Sequence, residues 1–322
     1  MKLYFAPMEG ITDGVYRRVF HEYFGGADKY FAPFLSPSGD FRITHREKRQ
    51  LLCDLGAPYT VVPQLLVRET ETLAPAFEKL GGFGFTEINL NLGCPSGTVT
   101  AKGKGAGLLR DLDALRRLLD AAFRLRGDMR LSAKTRIGFA SADEWPRIWG
   151  ALRSYPFAEL IVHPRTREEY YRGGTHPEAM ETCGDAPFPV FYNGDVFSPA
   201  DAQALEEKLG FLSGFMLGRG LVANPSLALE LRFGEGLQAQ KLKAFHAALT
   251  CAYAEEMPFQ GLHGRMCEIV SYMSCCFENP KKALKAMRKA RDAREYLERS
   301  ELLFDGCPLK EEPYFDPLGL KV

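Results

Sequence analysis

Residues 188–220 read FPVFYNGDVFSPADAQALEEKLGFLSGFMLGRG. Two short runs rich in strand-forming side chains, 188–193 and 213–217, enclose a stretch where Ala202, Leu205 and Leu209 recur at helical spacing. Strand, helix and strand in that order make one βαβ unit, whose two strands run parallel. Tyr192-Asn-Gly-Asp195 ends the first run and Gly218-Arg-Gly220 the second. The same alternation continues back to the N-terminus, with strands expected near residues 3–6, 29–33, 59–64, 84–90, 130–135 and 158–163. Amphipathic stretches lie between most of them. In 111–126, for example, Leu112, Leu115, Leu118, Leu119 and Ala122 recur at helical spacing. Eight strands alternating with helices fit a closed α/β barrel, the TIM (β/α)8 barrel, better than an open doubly wound sheet.

The unusual residues fall in one kind of place. Met8-Glu9, Gln64, Asn91 to Cys94, Lys134, His163, Asn193 to Asp195 and Gly218-Arg219 all lie at or just past the C-terminal end of an expected strand. That rim is where a TIM barrel builds its active site.

After Arg232-Phe-Gly-Glu-Gly236 the strand-like runs stop. Leu242, Phe245, Leu249 and Tyr253 make one helical stripe, and Met266, Ile269, Val270, Met273 and Phe277 a second. A third helix is expected over about 281–300, with Leu284, Met287 and Leu297 on its apolar side and eight lysines and arginines elsewhere. We place a boundary near residue 236, between a barrel domain, 1–236, and a small C-terminal helical bundle with a tail, 237–322. The 322-residue length agrees, since it exceeds what one hydrophobic core usually holds.

Lysine plus arginine and aspartate plus glutamate both number 41, so the formal net charge is zero. This excludes an indiscriminate polycationic nucleic-acid binder and leaves room for a local basic patch. The opening MKLYFAP runs straight into a strand, without a signal-peptide or transit pattern, and no run approaches the roughly 18 apolar residues of a membrane span. A cytoplasmic location with no membrane partner is expected. Eight cysteines occur without C-x-x-C pairing or companion histidines at zinc spacing, which implies reduced thiols and no metal site.

The two loops after the seventh and eighth strands suit a phosphate. Glycines at 194 and 218 let backbone N–H groups approach an anion, and Arg219 can add a charge-assisted fork. Asn-Gly alone is also an ordinary turn. The match of 218–223 to a dinucleotide fingerprint is formal only, because no βαβ unit follows.

Asn89-Leu-Asn-Leu-Gly-Cys-Pro95 leads into a glycine-rich, lysine-bearing loop that includes Lys102 and Lys104 and is expected to await a ligand for its order. Cys94, between glycine and proline at a strand exit, should face the barrel mouth. At an ordinary thiol pKa of about 8.5 it is mainly protonated at pH 7 and can donate a proton. A buried, inert thiol is the plainer alternative. Lys134 lies within a strand-like run and needs an anionic partner, either an inward carboxylate or a bound anion such as the pyrimidine end of a reduced flavin. A lone histidine is usually structural, but His163 shares its rim with Arg165 and Arg167, which suit phosphates; Gln64 suits either the edge of a flavin ring or a solvated strand end.

Taken together these segments resemble the bacterial type of the tRNA-dihydrouridine synthase family. The carriers are APMEGITDGVYRRVF from residue 6, PQLL at 63–66 and NLGCPSGTVTAKGKGAGLL at 91–109, then AKTRIGF, IVHPRTREEYYRGG, FYNGDVF and GFMLGRGLVANPSL. They span nearly the whole barrel in the family's order. Departures are Pro164 where the family often has glycine, Glu169 where glutamine is common, and Asn89 where an acidic residue is common.

The resemblance implies an FMN-dependent enzyme, reduced by NADPH or NADH, that converts tRNA D-loop uridines to 5,6-dihydrouridine. Hydride would pass from flavin to carbon 6 while Cys94 protonates carbon 5. Pro7, Met8, Glu9, Gln64 and Lys134 would contact the flavin ring, and Asn193, Gly194, Asp195, Gly218, Arg219 and His163 its phosphate. Asn91 and Arg136 would touch the flipped uridine, with Lys102, Lys104 and Arg165 near the RNA. Lys281, Lys285 and Arg288 would meet tRNA from the helical domain, in a monomer. Two other readings stay open: a flavin reductase of a free small molecule, for which the basic tail has no role, and an RNA-binding protein without catalysis. An aldolase-type barrel with Lys134 as Schiff-base nucleophile is a further one.

Overall fold

Among the described residues, short β-rich runs give nine strands: β1 (Lys2–Phe5), β2 (Lys29–Phe31), β3 (Thr60–Val62), β4 (Gln64–Leu65), β5 (Glu87–Leu92), β6 (Arg130–Gly138), β7 (Leu160–Thr166), β8 (Val190–Asn193) and β9 (Gly214–Leu217). The computed structural model describes all residues except 38, 40, 53 and 317–322, and all side chains except also those of 45, 46, 49 and 50. One of the eight cysteines, at 53, and the end of the expected tail therefore lie outside the described residues.

The strands form one sheet in the order β3-β2-β1-β9-β8-β7-β6-β5-β4, with parallel pairing. β3 and β4 stand at opposite ends of that order, yet only Pro63 separates them in the chain. The strand expected over 59–64 is therefore split. Proline has no N–H to give a ladder. Its carbonyl instead accepts from Asn89 N at 2.9 Å on one side, while Val62 O accepts from Ala32 N at 3.0 Å on the other. The split closes the ring into an eight-membered α/β barrel.

The helices are α1 (Gly14–Tyr23), α2 (His45–Leu52), α3 (Leu73–Gly82), α4 (Gly97–Thr100), α5 (Leu112–Leu125), α6 (Trp145–Leu152), α7 (Pro199–Lys208), α8 (Arg219–Ala223), α9 (Leu227–Phe233), α10 (Ala239–Glu256), α11 (Phe259–Met273), α12 (Lys281–Met287) and α13 (Ala293–Phe304). α5 starts where the Asp111 carboxylate caps Ala114 N at 2.9 Å, and it buries Leu115, Leu118, Leu119 and Ala122 as its spacing requires. The chain packs as two compact units. The first comprises Met1–Pro7, Asp28–Gly194 and Gln203–Met216; the second comprises Met8–Ala27, Asp195–Ala202 and the described part of Leu217–Val322.

In the first unit, Tyr4, Ala6, Phe31, Val62, Ile161, Phe191 and Met216 form one buried cluster. They come from β1, β2, β3, β7, β8 and β9 or the residue just after, so the cluster fills that side of the interior. Tyr4 stacks on Phe191 with centroids 4.3 Å apart. The β5–β6 side of the interior is polar instead, and it holds the residues described below.

In the second unit, Phe245 of α10 is ringed by Tyr16, Phe20, Tyr23 and Phe24 at centroid distances of 5.3–6.4 Å. Asp13 caps α1 through Tyr16 N at 3.0 Å, accepts from Tyr253 Oη at 2.8 Å and pairs with Arg265.

Two expectations for the C-terminal helices need correcting. The helix expected over 281–300 is two, α12 and α13, because Asp292 takes an extended conformation (φ −149°, ψ 172°) and caps α13 through Glu295 N at 2.8 Å. The break changes the buried face: Met287 is buried, Leu284 and Leu297 only partly, and Tyr296, Ser300, Leu303 and Phe304 carry the core side of α13. Phe277 lies beyond the end of α11 and bridges Leu309. Among the described residues no helix is long and apolar enough to cross a membrane.

Candidate active site at the barrel mouth

Side chains alternate along a strand, so Glu87, Asn89 and Asn91 of β5 share one face, as do Ser132, Lys134 and Arg136 of β6. Register places Asn89 beside Ser132 and Asn91 beside Lys134, and across the other edge Gln64 beside Asn89. Gln64 and Asn91 are buried, and Asn91 Nδ2 donates to Gln64 Oε1 at 2.7 Å. Asn91 Oδ1 then accepts from the backbone N–H groups of Gly93 and Cys94 at 3.2 and 2.8 Å. One amide side chain thus shapes the turn that holds Cys94, which stays half-buried at the strand exit.

The turn is braced from two more sides. Arg136, fully buried, donates from Nε to Gly93 O at 3.1 Å and from Nη1 to Thr166 O at 2.6 Å. Ala106 N donates to Cys94 O at 3.1 Å. Gly105 has φ +57°, and a Cβ there would lie 2.9 Å from both Cys94 Cβ and Cys94 O, so only glycine lets the following segment pass so near. That segment was expected to be an irregular loop. It folds instead into α4 and a 3-10 turn over Gly105–Arg110.

The Lys134 side chain is half-buried, and its amine makes no hydrogen bond or ion pair among the described residues. Burial lowers its pKa to about 7, the nearby Arg136 guanidinium acting in the same direction and Cys94 against it. An amine so placed suits a bound anion, and among the described residues no carboxylate is paired with it. The donors around it suit the pyrimidine end of a reduced flavin, which is anionic and bears carbonyl oxygens and ring nitrogens.

His163 and Arg165 are buried at the end of β7, with Arg165 Nη1 3.2 Å from His163 Nε2 and Nη2 donating to Gly173 O at 2.6 Å. The loop beyond is clasped by Glu169, which accepts from Thr166 N at 2.6 Å and lies 2.6 Å from His176 Nε2. Burial alone would raise the Glu169 carboxyl; the bonds to His176 and Thr166 outweigh it and hold it low, while Glu169 raises His176. This loop brings in a residue that sequence reading missed. Tyr171 is half-exposed, its ring 6.1 Å from His163 and 5.4 Å from the Arg136 guanidinium. The only signal was the pair Tyr170-Tyr171 after the arginines. Arg167 lies over Phe139 and Tyr170 and donates to Pro95 O at 3.1 Å.

The other expected residues fall as follows. Pro7 follows β1 and is half-buried. Asn193 ends β8 and donates to Met216 O at 2.7 Å, and Gly194 follows it. Lys102 is exposed, and Lys104 lies 3.3 Å from Glu69 and from Ser36 Oγ. In the second unit, Met8 N donates to Thr12 Oγ1 at 2.7 Å, and Glu9 is exposed. Arg219, next to Gly218, pairs with Asp195 at 2.5 Å and lies over Phe197 and Phe315. Lys281, Lys285 and Arg288 are exposed, on and just after α12. Among the described residues no group of three or more His, Cys, Asp or Glu is placed to hold a metal ion.

This geometry defines an α/β barrel with a thiol and a half-buried lysine at its mouth. Solved structures agree on the fold: an old yellow enzyme homologue from Zymomonas mobilis matches 74% of this chain and 90% of its own at a TM-score of 0.54 and 11% identity. Morphinone reductase matches 74% of this chain and 87% of its own at a TM-score of 0.50 and 14% identity. The chain matches dihydrouridine synthase (Dus) over residues 4–314, and it belongs to that family. It is 30% identical to the tRNA-dihydrouridine(16) synthase of Cupriavidus necator over 95% of this chain and 97% of that one. To the tRNA-dihydrouridine(16) synthase of Pseudomonas putida it is 33% identical, over 72% and 73% respectively.

Proposed function

We propose that this protein reduces a uridine of the tRNA D-loop to 5,6-dihydrouridine, using FMN with NADPH as reductant, as a cytoplasmic monomer. The observation that carries the reading is the meeting of a thiol-bearing turn, Gly93-Cys94, with Lys134, an amine without an ion-pair partner among the described residues, on neighbouring strands of one barrel mouth. Family membership supports it, and both named relatives above carry position 16 in their names, so uridine 16 is the proposed target.

A reduced flavin, when bound, supplies the hydride for carbon 6 of the uracil. Cys94 gives its proton to carbon 5 and regains one from solvent. Lys134, Gln64 and Pro7 are assigned to the ring, and Asn193, Gly194 and His163 to its phosphate. Asn91 binds the uracil and Tyr171 covers it, while Arg136 keeps the Cys94 turn in place. Extruding a stacked base costs a few kcal/mol, which interactions at the mouth must offset.

Residues 1–236 are the proposed catalytic domain and 237–322 the tRNA-binding one. Within the latter, α13 has little charge to offer RNA: Arg291 and Arg299 pair with Glu295 at 3.2 and 2.6 Å, and Arg294 with Glu298 at 2.9 Å. Lys281, Lys285 and Arg288 have no such partner among the described residues. They are the proposed phosphate-binding set of this domain; Lys102 is proposed to meet RNA beside the mouth, whereas Arg165, expected near the RNA, is buried and bonded to Gly173 O and is proposed to brace the mouth instead. Changing Lys281, Lys285 and Arg288 together to Ala is expected to weaken tRNA binding and to lower the log–log salt slope by about 0.7–0.9 for each phosphate no longer neutralised. A titration at several salt concentrations checks this; an unchanged slope would place the RNA surface elsewhere.

In cells lacking the protein, dihydrouridine should disappear from one D-loop position, mapped by mass spectrometry, and return with the intact gene. Retention at every position, with no second enzyme of the family in the cell, would reject the proposal.

A further inference from the structure

One unbroken file of hydrogen bonds crosses the barrel interior from floor to mouth. At the N-terminal end of β5, the Glu87 carboxylate accepts from Lys29 Nζ at 2.8 Å and from the Ser132 hydroxyl at 3.1 Å. Lys29 also reaches Glu159 at 2.9 Å, and the other Glu159 oxygen accepts from Tyr4 Oη at 2.7 Å. Above this floor, Ser132 Oγ accepts from Asn89 Nδ2 at 3.0 Å, and Asn89 Oδ1 accepts from Gln64 Nε2 at 2.8 Å. Gln64 passes the file to Asn91, which holds the Cys94 turn as described.

The direction of the file is set from both ends. A backbone N–H only donates, so Asn91 must turn its oxygen to Gly93 and Cys94 and its nitrogen to Gln64. The same choice then passes through Gln64 and Asn89 to Ser132. Both Glu87 oxygens accept from Lys29 Nζ, at 3.0 and 2.8 Å, so Glu87 demands the same direction from below. Reversing one amide would put donor against donor or acceptor against acceptor among buried groups, where an unmade hydrogen bond is most costly. Asn89 makes the file continuous: it both accepts from Gln64 and donates to Ser132, whereas a carboxylate at this position would do only the first.

We infer that Glu87, Ser132 and Asn89 are positioning residues, which act through Gln64 and Asn91 to fix the turn carrying the Cys94 thiol. The inference rests on the reading of Cys94 as proton donor.

The test uses the flavin-loaded, full-length protein. Asn89→Leu removes the link and is expected to lower kcat for dihydrouridine formation on the order of 10- to 100-fold, with KM for tRNA unchanged. Exchange of the Cys94 backbone amide, followed by NMR, should quicken by about 10-fold or more. Asn89→Asp, which accepts from Gln64 but cannot donate to Ser132, should be impaired in both, by less than the Leu variant. Wild-type kcat and exchange in Asn89→Leu would overturn the inference, and so would an Asp variant with wild-type values of both. Should Asn89→Leu fail to fold, Ser132→Ala is judged by the same two quantities, with Ser132→Thr as the recovering variant. A wild-type protein inactive on tRNA would reject the proposed function; amide exchange at Cys94 would then decide on the file by itself.

Discussion

Cys94→Ala is expected to keep its flavin and to lose dihydrouridine formation by on the order of 10²- to 10⁴-fold, the usual contribution of a positioned general acid. The substitution removes only the sulfur. The backbone bonds that shape the turn, Cys94 N to Asn91 Oδ1 at 2.8 Å and Ala106 N to Cys94 O at 3.1 Å, do not need the side chain. The residue is half-buried, so truncation leaves no large internal cavity. The flavin-binding roles assigned to Lys134 and Gln64 are also untouched. The loss should therefore appear in the oxidative half-reaction alone, with tRNA, while reduction by NADPH keeps its rate. Stopped-flow absorbance separates the two. A wild-type rate of flavin reoxidation by tRNA would remove Cys94 as the acid.

Lys134→Met is expected to have opposite effects on the loaded and the flavin-free protein. Without flavin, burial and Arg136 hold the folded-state pKa at about 7, against about 10.4 for a lysine in an unfolded chain. Between these values the unfolded chain binds the extra proton, so stability rises with pH across that window. The penalty from the buried ammonium is present in full below about pH 7 and gone above about pH 10.4. Lys134→Met should then raise the Tm of the flavin-free protein by a few degrees at pH 6, and the gain should vanish by about pH 10.5. With reduced FMN present the ammonium would meet an anion. A hydrogen bond to a charged group contributes about 1.5–3 kcal/mol, so affinity for reduced FMN should fall roughly 10- to 150-fold in the variant. Anaerobic titration with reduced FMN and thermal melts across pH measure both. Unchanged affinity for reduced FMN, or a Tm gain that persists at high pH, would show that the cation has another purpose.

Much of the barrel is legible in the sequence because strand exits are chemically marked. Asn91 to Cys94 and Asn193 to Asp195 each interrupt an apolar run where the strand ends, whereas Lys134 and His163, expected at strand ends, lie within β6 and β7, which continue to Gly138 and Thr166. What the pattern conceals is pairing between distant segments. Pro63 is visible, but that it divides one strand between two neighbours depends on β2 and β5 arriving on opposite sides. The Asp195–Arg219 pair joins residues 24 apart, and nothing local tells a phosphate-seeking arginine from one already held by a carboxylate. The α12–α13 break had a faint local sign, an Asp292-x-x-Glu295 capping pattern, outweighed by a run free of glycine and proline. The polar alternation Glu87, Asn89, Asn91 could also be read directly, since a strand inside a barrel ordinarily alternates apolar side chains. Its direction could not, because that follows from which residues of β4 and β6 stand opposite.

The most direct measurement is made on unmodified tRNA transcript incubated with purified protein, FMN and NADPH, followed by mass-spectrometric mapping of dihydrouridine. Dihydrouridine at position 16, formed by the wild-type protein and not by Cys94→Ala, is the expected result. A transcript that remains unmodified at every uridine while the flavin is reduced would contradict it.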